Sequence, residues 1–515
     1  MEILALDIAM LSTLTLILHP IKIFVLTTLF FRIMQKLVLY YARLPPGPWG
    51  LPLVGYLPFM HRKPPHTLYL EMADRYGDVF SLQLGESLIV CIGSTKVMKE
   101  FFSRPDSIGR PQTPLNKLMA GLGIVLSEGL LWKRQRQFLH ESFRALGVKL
   151  WPNLQFEKYI IMEIEELFSE LRNVCGTVVD PKQLLGRHLH NVICHLMMSF
   201  RFTGKDDQFL LFNERVSRGM ELYGAVHIGE YIKCYLKLPG KQAVVKEIQR
   251  NLADISKFHA DHIVQRMNHR TATGRVEEPV DLLDHYLNKI YEERNSDPKT
   301  KIFPDVDPEK QVVQVMNDLF STGMETSLTA ILWTIVMMLR EPEAAAKVRE
   351  ALKTVVAPHN LVTLNDRASL PYVEAVLFET MRMVSVVPLG TTHVNTEDWK
   401  INGYTIPAGT HIIPLINRMN HDPTIYPEPD KFKPERFIRN GKIHAHDNFM
   451  LFGTGQRMCL GMTLARMELF LFFANLMNHY EFNLPEGDKL PGLDGNLGIT
   501  HAPVPFNLVF KKLEA

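Results

Sequence analysis

Apolar residues recur along most of the chain with the spacing of a helix face. From about Thr67 onward they fall three and four residues apart, a period typical of amphipathic α-helices. No internal repeat or low-complexity tract interrupts this pattern. It predicts helices over Thr67–Tyr76, Thr95–Phe102, Leu130–Ala145, Phe156–Leu171, Leu184–Met198, Gln242–Asn268, Lys310–Leu339, Glu341–Val355, Pro371–Met383 and Met462–Asn478. The polar segments His269–Val280 and Asn295–Val306 are predicted to be loops.

Strand-like segments are few and short. Val79–Leu84 and Leu88–Ile92 are separated by a Gly-Glu turn, which predicts a hairpin. Trp399–Ile401 and Tyr404–Ile406 flank an Asn-Gly pair, a strong hairpin signal. His411–Ile416 is a further β-like run. The pattern therefore predicts one large, mainly α domain with a minor β portion.

The N-terminus has a different pattern. Ile8–Phe31 is almost entirely apolar, and as a helix it would span about 36 Å, more than the roughly 30 Å of a bilayer core. Basic residues follow it, and no acid occurs between Phe31 and Glu71, so the body is expected on the cytoplasmic side. We predict a transmembrane anchor over residues 1–36. A buried hairpin is the alternative, because Pro20 and Lys22 interrupt the run.

A proline-rich segment follows the predicted anchor. Leu44–Pro52 contains four prolines, which exclude a helix or a central strand. It predicts a stiff hinge and lead-in over residues 37–66. The remaining residues, 67–515, would then form one large folded domain.

Composition excludes several classes of protein. Hydrophobic residues make up 46% of the chain and charged residues 22%, which is ordinary for a globular protein. The 57 basic residues nearly balance the 55 acidic ones, so the net charge gives no indication of a nucleic-acid partner. The five cysteines include no CxxC pair, which argues against a disulfide framework or a zinc ribbon.

One cysteine stands in a glycine-rich segment. Phe452–Gly461 reads FGTGQRMCLG and precedes a helical run. Its glycines allow a tight loop, and Cys459 just before the helix would be stabilised as a thiolate. A thiolate held by amide donors suits a soft metal, and Arg457 could meet an acidic group of a cofactor. An ordinary buried cysteine in a turn is the alternative.

The pattern FxxGxRxCxG resembles the haem-binding loop of the cytochrome P450 superfamily. The segment Glu379–Arg382 resembles the ExxR helix of that family, and Pro434–Phe437 resembles its PERF segment. Trp132–Arg136 resembles its WxxxR helix, and Thr322–Ser327 its oxygen-activating helix. The resemblance runs from the hinge to the C-terminus. It implies a mainly α cytochrome P450 fold, an α-rich prism with a small β subdomain, behind the N-terminal membrane anchor.

The resemblance also implies roles for individual residues. Cys459 would be the axial thiolate of the haem iron, next to Phe452. The residues expected to meet the haem propionates are Trp132, Arg136, His393 and Arg457. Those expected to form a buried brace for the haem loop are Glu379, Arg382 and Arg436.

The central helix would handle oxygen and protons. Gly323 would let the helix bulge and admit dioxygen, and Glu325 and Thr326 would relay protons. The alternative is that Thr326 only bonds to its own helix. Thr322 stands where the family usually has Ala or Gly, and its added hydroxyl could narrow this pocket.

The implied activity is that of a haem-thiolate monooxygenase. It would insert one oxygen atom of O2 into a C–H bond of an apolar substrate, with electrons from NADPH through a membrane-bound reductase at the endoplasmic reticulum. Possible substrate contacts, other than apolar ones, are Asn317, Asp318, Thr322, Thr391, Thr392 and Thr500. A possible docking face for the reductase comprises Lys133, Arg134, Lys431 and Lys433.

Several stretches resemble the arthropod enzymes that hydroxylate the side chain of ecdysteroids. They are Asn191–Met198, Val387–His393, Asn402–Asn417 and Ala465–Asn475. The resemblance leaves 25- and 26-hydroxylation open, and the first stretch favours the latter. The alternatives are a broad xenobiotic or lipid hydroxylase, a P450-type isomerase that needs no reductase, and a haem sensor.

Overall fold

The computed structural model describes most of the chain. The described residues are 22–23, 27–29, 31–32, 35, 38–150, 155–203, 207–273, 278–293, 301–357, 360–498 and 500–513. The predicted anchor over residues 1–36 therefore lies largely outside them. Its described residues are helical, and the side chains of Ile23, Leu29 and Phe31 are exposed.

Helices make up most of the described fold, as the hydrophobic period predicts. They are α1 (Pro65–Tyr76), α2 (Thr95–Ser103), α3 (Gly129–Ala145), α4 (Gln155–Val174), α5 (Pro181–Met198), α6 (Asp207–Val226), α7 (Pro239–Thr273), α8 (Leu282–Glu293), α9 (Pro308–Arg340), α10 (Pro342–Val355), α11 (Pro371–Val384), α12 (Ile416–Asn420) and α13 (Met462–His479). Prolines occupy the first turn of several of them, where a missing N–H costs nothing.

The strands form two small sheets and three two-stranded ribbons. The larger sheet has the order β1 (Val79–Leu84), β2 (Ser87–Ile92), β7 (His411–Pro414), β4 (His393–Val394), with β2 and β7 parallel. The other sheet joins β10 (Tyr480–Asn483), β13 (Leu508–Lys512) and β3 (Val178–Val179). The ribbons pair β5 (Trp399–Ile401) with β6 (Tyr404–Ile406), β8 (Ile438–Arg439) with β9 (Lys442–Ile443), and β11 (Asn496–Leu497) with β12 (His501–Ala502).

Helix α9 runs through the main core. Its residues from Ser327 to Met338 are buried, and it packs against α5, α11 and α13. Among the described helices it alone is long and apolar enough to cross a membrane, but most of that span is buried inside the protein. An apolar surface on every side is typical of a core helix, and α13 shares this property.

The structure departs from the predicted elements at several places. Helices α6 and α8 and the sheet of β10, β13 and β3 are additional to the prediction. Helix α7 continues to Thr273, into the predicted loop His269–Val280. Strand β7 ends at Pro414, and helix α12 begins where that strand was predicted to continue, because the proline lacks the N–H that a central strand needs.

Candidate active site

The loop that carries Cys459 is held by its own backbone and by helix α2. The N–H of Cys459 donates to the carbonyl oxygen of Phe452 at 2.9 Å. Gly453 and Gly455 have φ angles of 73° and 75°, which L side chains rarely adopt. A Cβ on Gly455 would also lie 2.1 Å from the carbonyl oxygen of Phe102. The loop therefore needs glycine there, and it sets Cys459 just before α13.

The sulfur of Cys459 lies in a recess where backbone amides point at it. The side chain keeps accessible surface, although protein surrounds it closely. Burial raises the pKa of the Cys459 thiol, while hydrogen bonds from the N–H groups of Gly461 and Met462 and the charge of Arg136 act to lower it. These donors favour an anionic sulfur, and a bound metal ion would complete its deprotonation.

Arg457 is a half-buried cation that meets carbonyl groups. Its guanidinium donates to the carbonyl oxygens of Ile108 at 3.0 Å, Ile124 at 3.3 Å and Ser127 at 2.6 Å. It lies over the Trp132 ring, 4.0 Å from the centroid. Burial, with the charge of Arg110, lowers the pKa of Arg457 to about 8. No carboxylate of the described residues lies within ion-pair distance of the Arg457 guanidinium.

Arg110 and Arg136 add two more cations to this region. Arg110 donates to the carbonyl oxygens of Val125 at 2.9 Å and Thr392 at 3.0 Å, and burial lowers its pKa to about 10. Arg136 donates to the carbonyl oxygen of Met458, next to Cys459. The charges of Arg110, Arg136 and Arg457 act on one another, and that of Arg136 also acts on the Cys459 thiol. A ligand with carboxylate groups would complement these three cations.

His393 lies in the same cluster as a neutral donor. Its Nδ1 is 2.9 Å from the carbonyl oxygen of Ser107, and its ring packs edge-on against Phe102. Burial and the charges of Arg110 and Arg457 hold the pKa of His393 well below its usual range. The thiol with its amide donors and the buried cations together fit a haem with two propionates. The sequence did not single out Arg110, whose partners lie far away in the chain.

The predicted brace for the haem loop is present as a buried ion-pair network. Arg382 donates to both oxygens of Glu379, at 2.7 and 3.0 Å, and both side chains are fully buried. Arg436 donates to Glu379 at 3.0 Å. Arg382 also reaches the carbonyl oxygens of Asn420 and Pro429. Helix α11 is thereby tied to the segment that leads to the Cys459 loop.

The central helix differs from the prediction at Gly323. Helix α9 is α-helical without a bulge from Pro308 to Arg340. A Cβ on Gly323 would lie 2.8 Å from Cδ1 of Ile193, so close packing against α5 accounts for the glycine. The hydroxyl of Thr326 donates to the carbonyl oxygen of Thr322 at 2.8 Å, and Thr322 does the same to Asp318 at 2.7 Å. The alternative arrangement for Thr326, a bond to its own helix, is the one observed.

Two acids lie next to the neighbours of Thr326 or among them: Glu325 precedes Thr326 in the chain, and Glu468 contacts Ser327, which follows it. The carboxylate of Glu325 lies 3.4 Å from the hydroxyl of the buried Thr500. The hydroxyl of Ser327 donates to Glu468 at 2.7 Å, and burial raises the pKa of Glu468 to about 8. Glu468 was not predicted as a site residue, although a lone acid within the apolar run of α13 could have signalled it.

Asn317, one of the expected polar substrate contacts, already has a protein partner for its amide oxygen and another for its amide nitrogen. Its Oδ1 is 2.7 Å from Nδ1 of His259, and its Nδ2 donates to the Ser256 hydroxyl at 2.9 Å. Both partners lie on α7. The amide therefore joins α7 to α9, and its contact with a substrate hydroxyl stays a prediction.

Asp318 is likewise used within the protein. One of its oxygens accepts from the N–H groups of Ile124 at 2.7 Å and Val125 at 2.9 Å, and the other accepts from Gln314 at 2.8 Å. Burial raises the pKa of Asp318 to about 6, although these hydrogen bonds act to lower it. Its carboxylate holds the loop before α3 against the central helix. The side chains of Thr322 and Thr391, by contrast, are exposed.

The predicted reductase face is partly neutralised by local pairing. Lys431 and Lys433 both form ion pairs with Glu428. Arg134 donates to the carbonyl oxygen of Lys301, whereas Lys133 is exposed. Less positive charge therefore remains on this surface than the sequence suggested.

The chain matches known proteins over almost its entire length. The family model Cytochrome P450 matches residues 45–510. Cytochrome P450 18a1 of Drosophila melanogaster is 41% identical over 500 residues, covering 96% of this chain and 92% of that protein. Human Cytochrome P450 2U1 is 31% identical, covering 91% and 89%, and mouse Cytochrome P450 2J5 is 31% identical, covering 90% of each.

Proposed function

The chain belongs to the cytochrome P450 family, and from this premise we propose that it hydroxylates the side chain of an ecdysteroid, at carbon 26 or carbon 25. Membership makes it a haem-thiolate monooxygenase that receives electrons from a reductase. The steroid substrate and the roles of individual residues are the parts that we propose.

The proposed haem ligand is Cys459. Bound haem supplies the activation of dioxygen that inserts one oxygen atom into a C–H bond. The amide groups of Gly461 and Met462 stabilise the negative charge on the sulfur. Arg457, Arg136 and Arg110 would hold the propionates by charge-assisted hydrogen bonds.

Proton handling is assigned to the exposed face of the central helix. The Thr326 hydroxyl donates to Thr322 within α9, so it can exchange that acceptor for another without breaking the helix backbone. Glu325, beside it, carries an acceptor carboxylate that Thr500 orients. A positioned hydroxyl with an adjacent acid is the arrangement that general acid catalysis requires.

The observation that carries the substrate proposal is the difference in identity between relatives. The fruit-fly protein is 41% identical over almost the full length, whereas the mammalian relatives are 31% identical. The stretches that resemble arthropod side-chain hydroxylases include Val387–His393, which leads from α11 to the cluster around Arg457. The difference in identity makes this chain more similar to the fruit-fly relative than to the mammalian ones, and the resemblance of these stretches favours an ecdysteroid over a broad range of foreign compounds.

The test is a panel of ecdysteroids incubated with the full chain, reductase and NADPH, with products identified by mass spectrometry. A steroid that already carries a 25-hydroxyl should gain one oxygen at carbon 26, and a 25-deoxy steroid shows which carbon is preferred. Conversion of varied xenobiotics without any steroid product would contradict the proposal. Turnover without reductase would indicate an isomerase, and haem binding without turnover a sensor.

We also propose that residues 1–36 anchor the protein in the endoplasmic reticulum membrane with the catalytic domain in the cytoplasm. A chain that lacks these residues should leave the membrane fraction in part and still bind haem. Loss of haem binding on truncation would instead assign the segment to the folded core.

A further inference from the structure

A buried histidine joins the hairpin β11–β12 to two other parts of the fold. The His501 side chain is only 6% exposed. Its Nδ1 lies 2.7 Å from the carbonyl oxygen of Val384, and its Nε2 lies 2.7 Å from the carbonyl oxygen of Asp494. Both acceptors are carbonyl oxygens, so an N–H on either ring nitrogen finds a partner that fixes the ring.

The backbone of His501 is fixed as firmly as its ring. Its N–H donates to the carbonyl oxygen of Val386 at 2.8 Å, and its carbonyl oxygen accepts from the indole N–H of Trp333 at 2.7 Å. Trp333 is a fully buried residue of α9. One residue therefore ties the hairpin to the end of α11 and to the central helix.

The turn before the hairpin is shaped around the imidazole. Gly495 has a φ of 52°, and a Cβ there would lie 2.6 Å from Nε2 of His501 and 2.9 Å from Cζ2 of Trp333. The turn can thus approach the ring only because it has no side chain at this position. The hairpin has little freedom to shift relative to α9.

The residue before His501 contacts the proposed proton-handling acid. Thr500 is 4% exposed, and its hydroxyl lies 3.4 Å from Oε1 of Glu325. We propose that His501 is a positioning residue that, through Thr500, holds the carboxylate of Glu325 in place for proton delivery. This inference rests on the proposed function of Glu325. A carboxylate without such a contact samples several rotamers, and few of them are productive.

The test is His501→Phe, which retains an aromatic ring and removes both ring nitrogens with their hydrogen bonds to Val384 and Asp494. Product formed per NADPH should fall by about two- to tenfold, the equivalent of one hydrogen bond. Hydrogen peroxide should rise, while haem content and the substrate-induced spectral shift stay unchanged. The matched control is His66→Phe, because the His66 ring lies 5.5 Å from that of His501 but takes no part in the Thr500–Glu325 contact.

A second variant tests the same route without touching the histidine. Thr500→Val removes the hydroxyl that meets Glu325 and should uncouple to a similar extent. The double variant should be no worse than the more affected single variant, because both act on one contact. If His501→Phe fails to bind haem, Thr500→Val decides: loss of coupling supports the inference, and full coupling overturns it.

Glu325→Gln separates this inference from the proposed function. An uncoupled Glu325→Gln together with a fully coupled His501→Phe refutes the role of His501 alone. A fully coupled Glu325→Gln refutes the proton-handling role of Glu325, and the inference about His501 falls with it.

Discussion

Arg457 has unusual surroundings for a half-buried cation. Its donors meet three carbonyl oxygens and its face meets Trp132, while the charges of Arg110 and Arg136 disfavour the cation and that of Glu128 favours it. Burial and like charge both disfavour the cation, which is why its pKa is lowered to about 8. A bound anion would offset the unfavourable free energy of this buried cation, and the propionates of haem are anions of the right kind.

Replacing Arg457 by Gln should therefore weaken haem binding. Truncating one partner of a buried, hydrogen-bonded charge pair costs about 2–5 kcal/mol. We expect faster transfer of haem to an excess of apomyoglobin from the variant than from the parent chain. Arg218→Gln, which alters an exposed arginine paired with Glu247 and Glu221, is the control and should leave the transfer rate unchanged. Equal transfer rates for Arg457→Gln and the parent would exclude a propionate at this guanidinium.

Thr326→Ala should separate oxygen consumption from product formation. Proton delivery by a positioned group is worth about 10²–10⁴ in rate, so product should fall by about a hundredfold while NADPH oxidation continues and hydrogen peroxide accumulates. The Thr322 hydroxyl can substitute in part, so the double change to Ala should be worse than either alone. Thr334 also donates to its own helix, at 2.7 Å to Ala330, and Thr334→Ala is the matched control. Full coupling in the single and double variants would leave Thr326 as a plain helix residue.

At the scale of elements, the site depends on how a loop is fitted between helices. The Cys459 loop begins after a segment fixed to α11 by Glu379, and it presses against the end of α2 at Phe102. The sulfur is thus placed by contacts with elements that lie far apart in sequence. A small shift of the loop would move the thiol away from the amides of Gly461 and Met462.

Gly455→Ala should disrupt the haem site through a steric contact. The added Cβ would meet the Phe102 carbonyl oxygen, and it cannot be accommodated without moving the loop or α2. We expect a large loss of the thiolate-type absorption of the reduced, carbon monoxide-bound protein. Gly441→Ala is the control, since Gly441 has a φ of 70° but no heavy atom within 4 Å of its Cβ position. Equal spectra for the two variants would show that the contact with Phe102 does not fix the position of this loop.

The sequence predicted the elements that have a clear hydrophobic period, and it predicted the site where residues form a local motif. Helix α9 and helix α13 were predicted almost to the residue, and the pair of Glu379 and Arg382 is observed where the local motif places it, whereas the role of Cys459 stays a prediction. Arg110, Glu468 and His501 were missed as site residues because their partners are distant in the chain. The sheet of β10, β13 and β3 was missed for the same reason, since strands of two to five residues carry little periodic signal.

At the scale of the whole molecule, a polar network crosses the interface between α4 and α5. Glu163 is completely buried and contacts His188 at 2.9 Å, Asn191 at 3.1 Å and Arg201 at 2.6 Å. Burial alone would raise the pKa of Glu163, but hydrogen bonds from these partners and from His195 hold it well below its usual range. The network lies within the main core and makes the packing of two long helices dependent on charge.

His188 gives this network a pH dependence with a definite sign. Burial would lower its pKa, but hydrogen bonds to Glu163 and Glu170 outweigh burial and raise it. The His188 contribution to stability is thus complete below the unfolded value of about 6.5 and is lost as pH rises through the folded pKa. Glu163 and Glu170, whose pKa values are lowered, contribute fully above about 4.3, and their contribution is lost as pH falls.

His188→Gln should therefore destabilise the haem-loaded full chain more at pH 5.5 than at pH 8.5. Hydrogen bonds to charged groups are worth about 1.5–3 kcal/mol each, so the loss at pH 5.5 should be of this order and should shrink as the parent chain loses its own imidazolium. Thermal unfolding followed across this range measures the difference. His285→Gln is the control, because burial lowers the pKa of His285, so that protonation of His285 at low pH destabilises the fold and this penalty disappears as pH rises. A His188→Gln deficit that stays constant from pH 5.5 to 8.5 would mean that a neutral histidine makes these contacts, and that shape rather than charge joins α4 to α5.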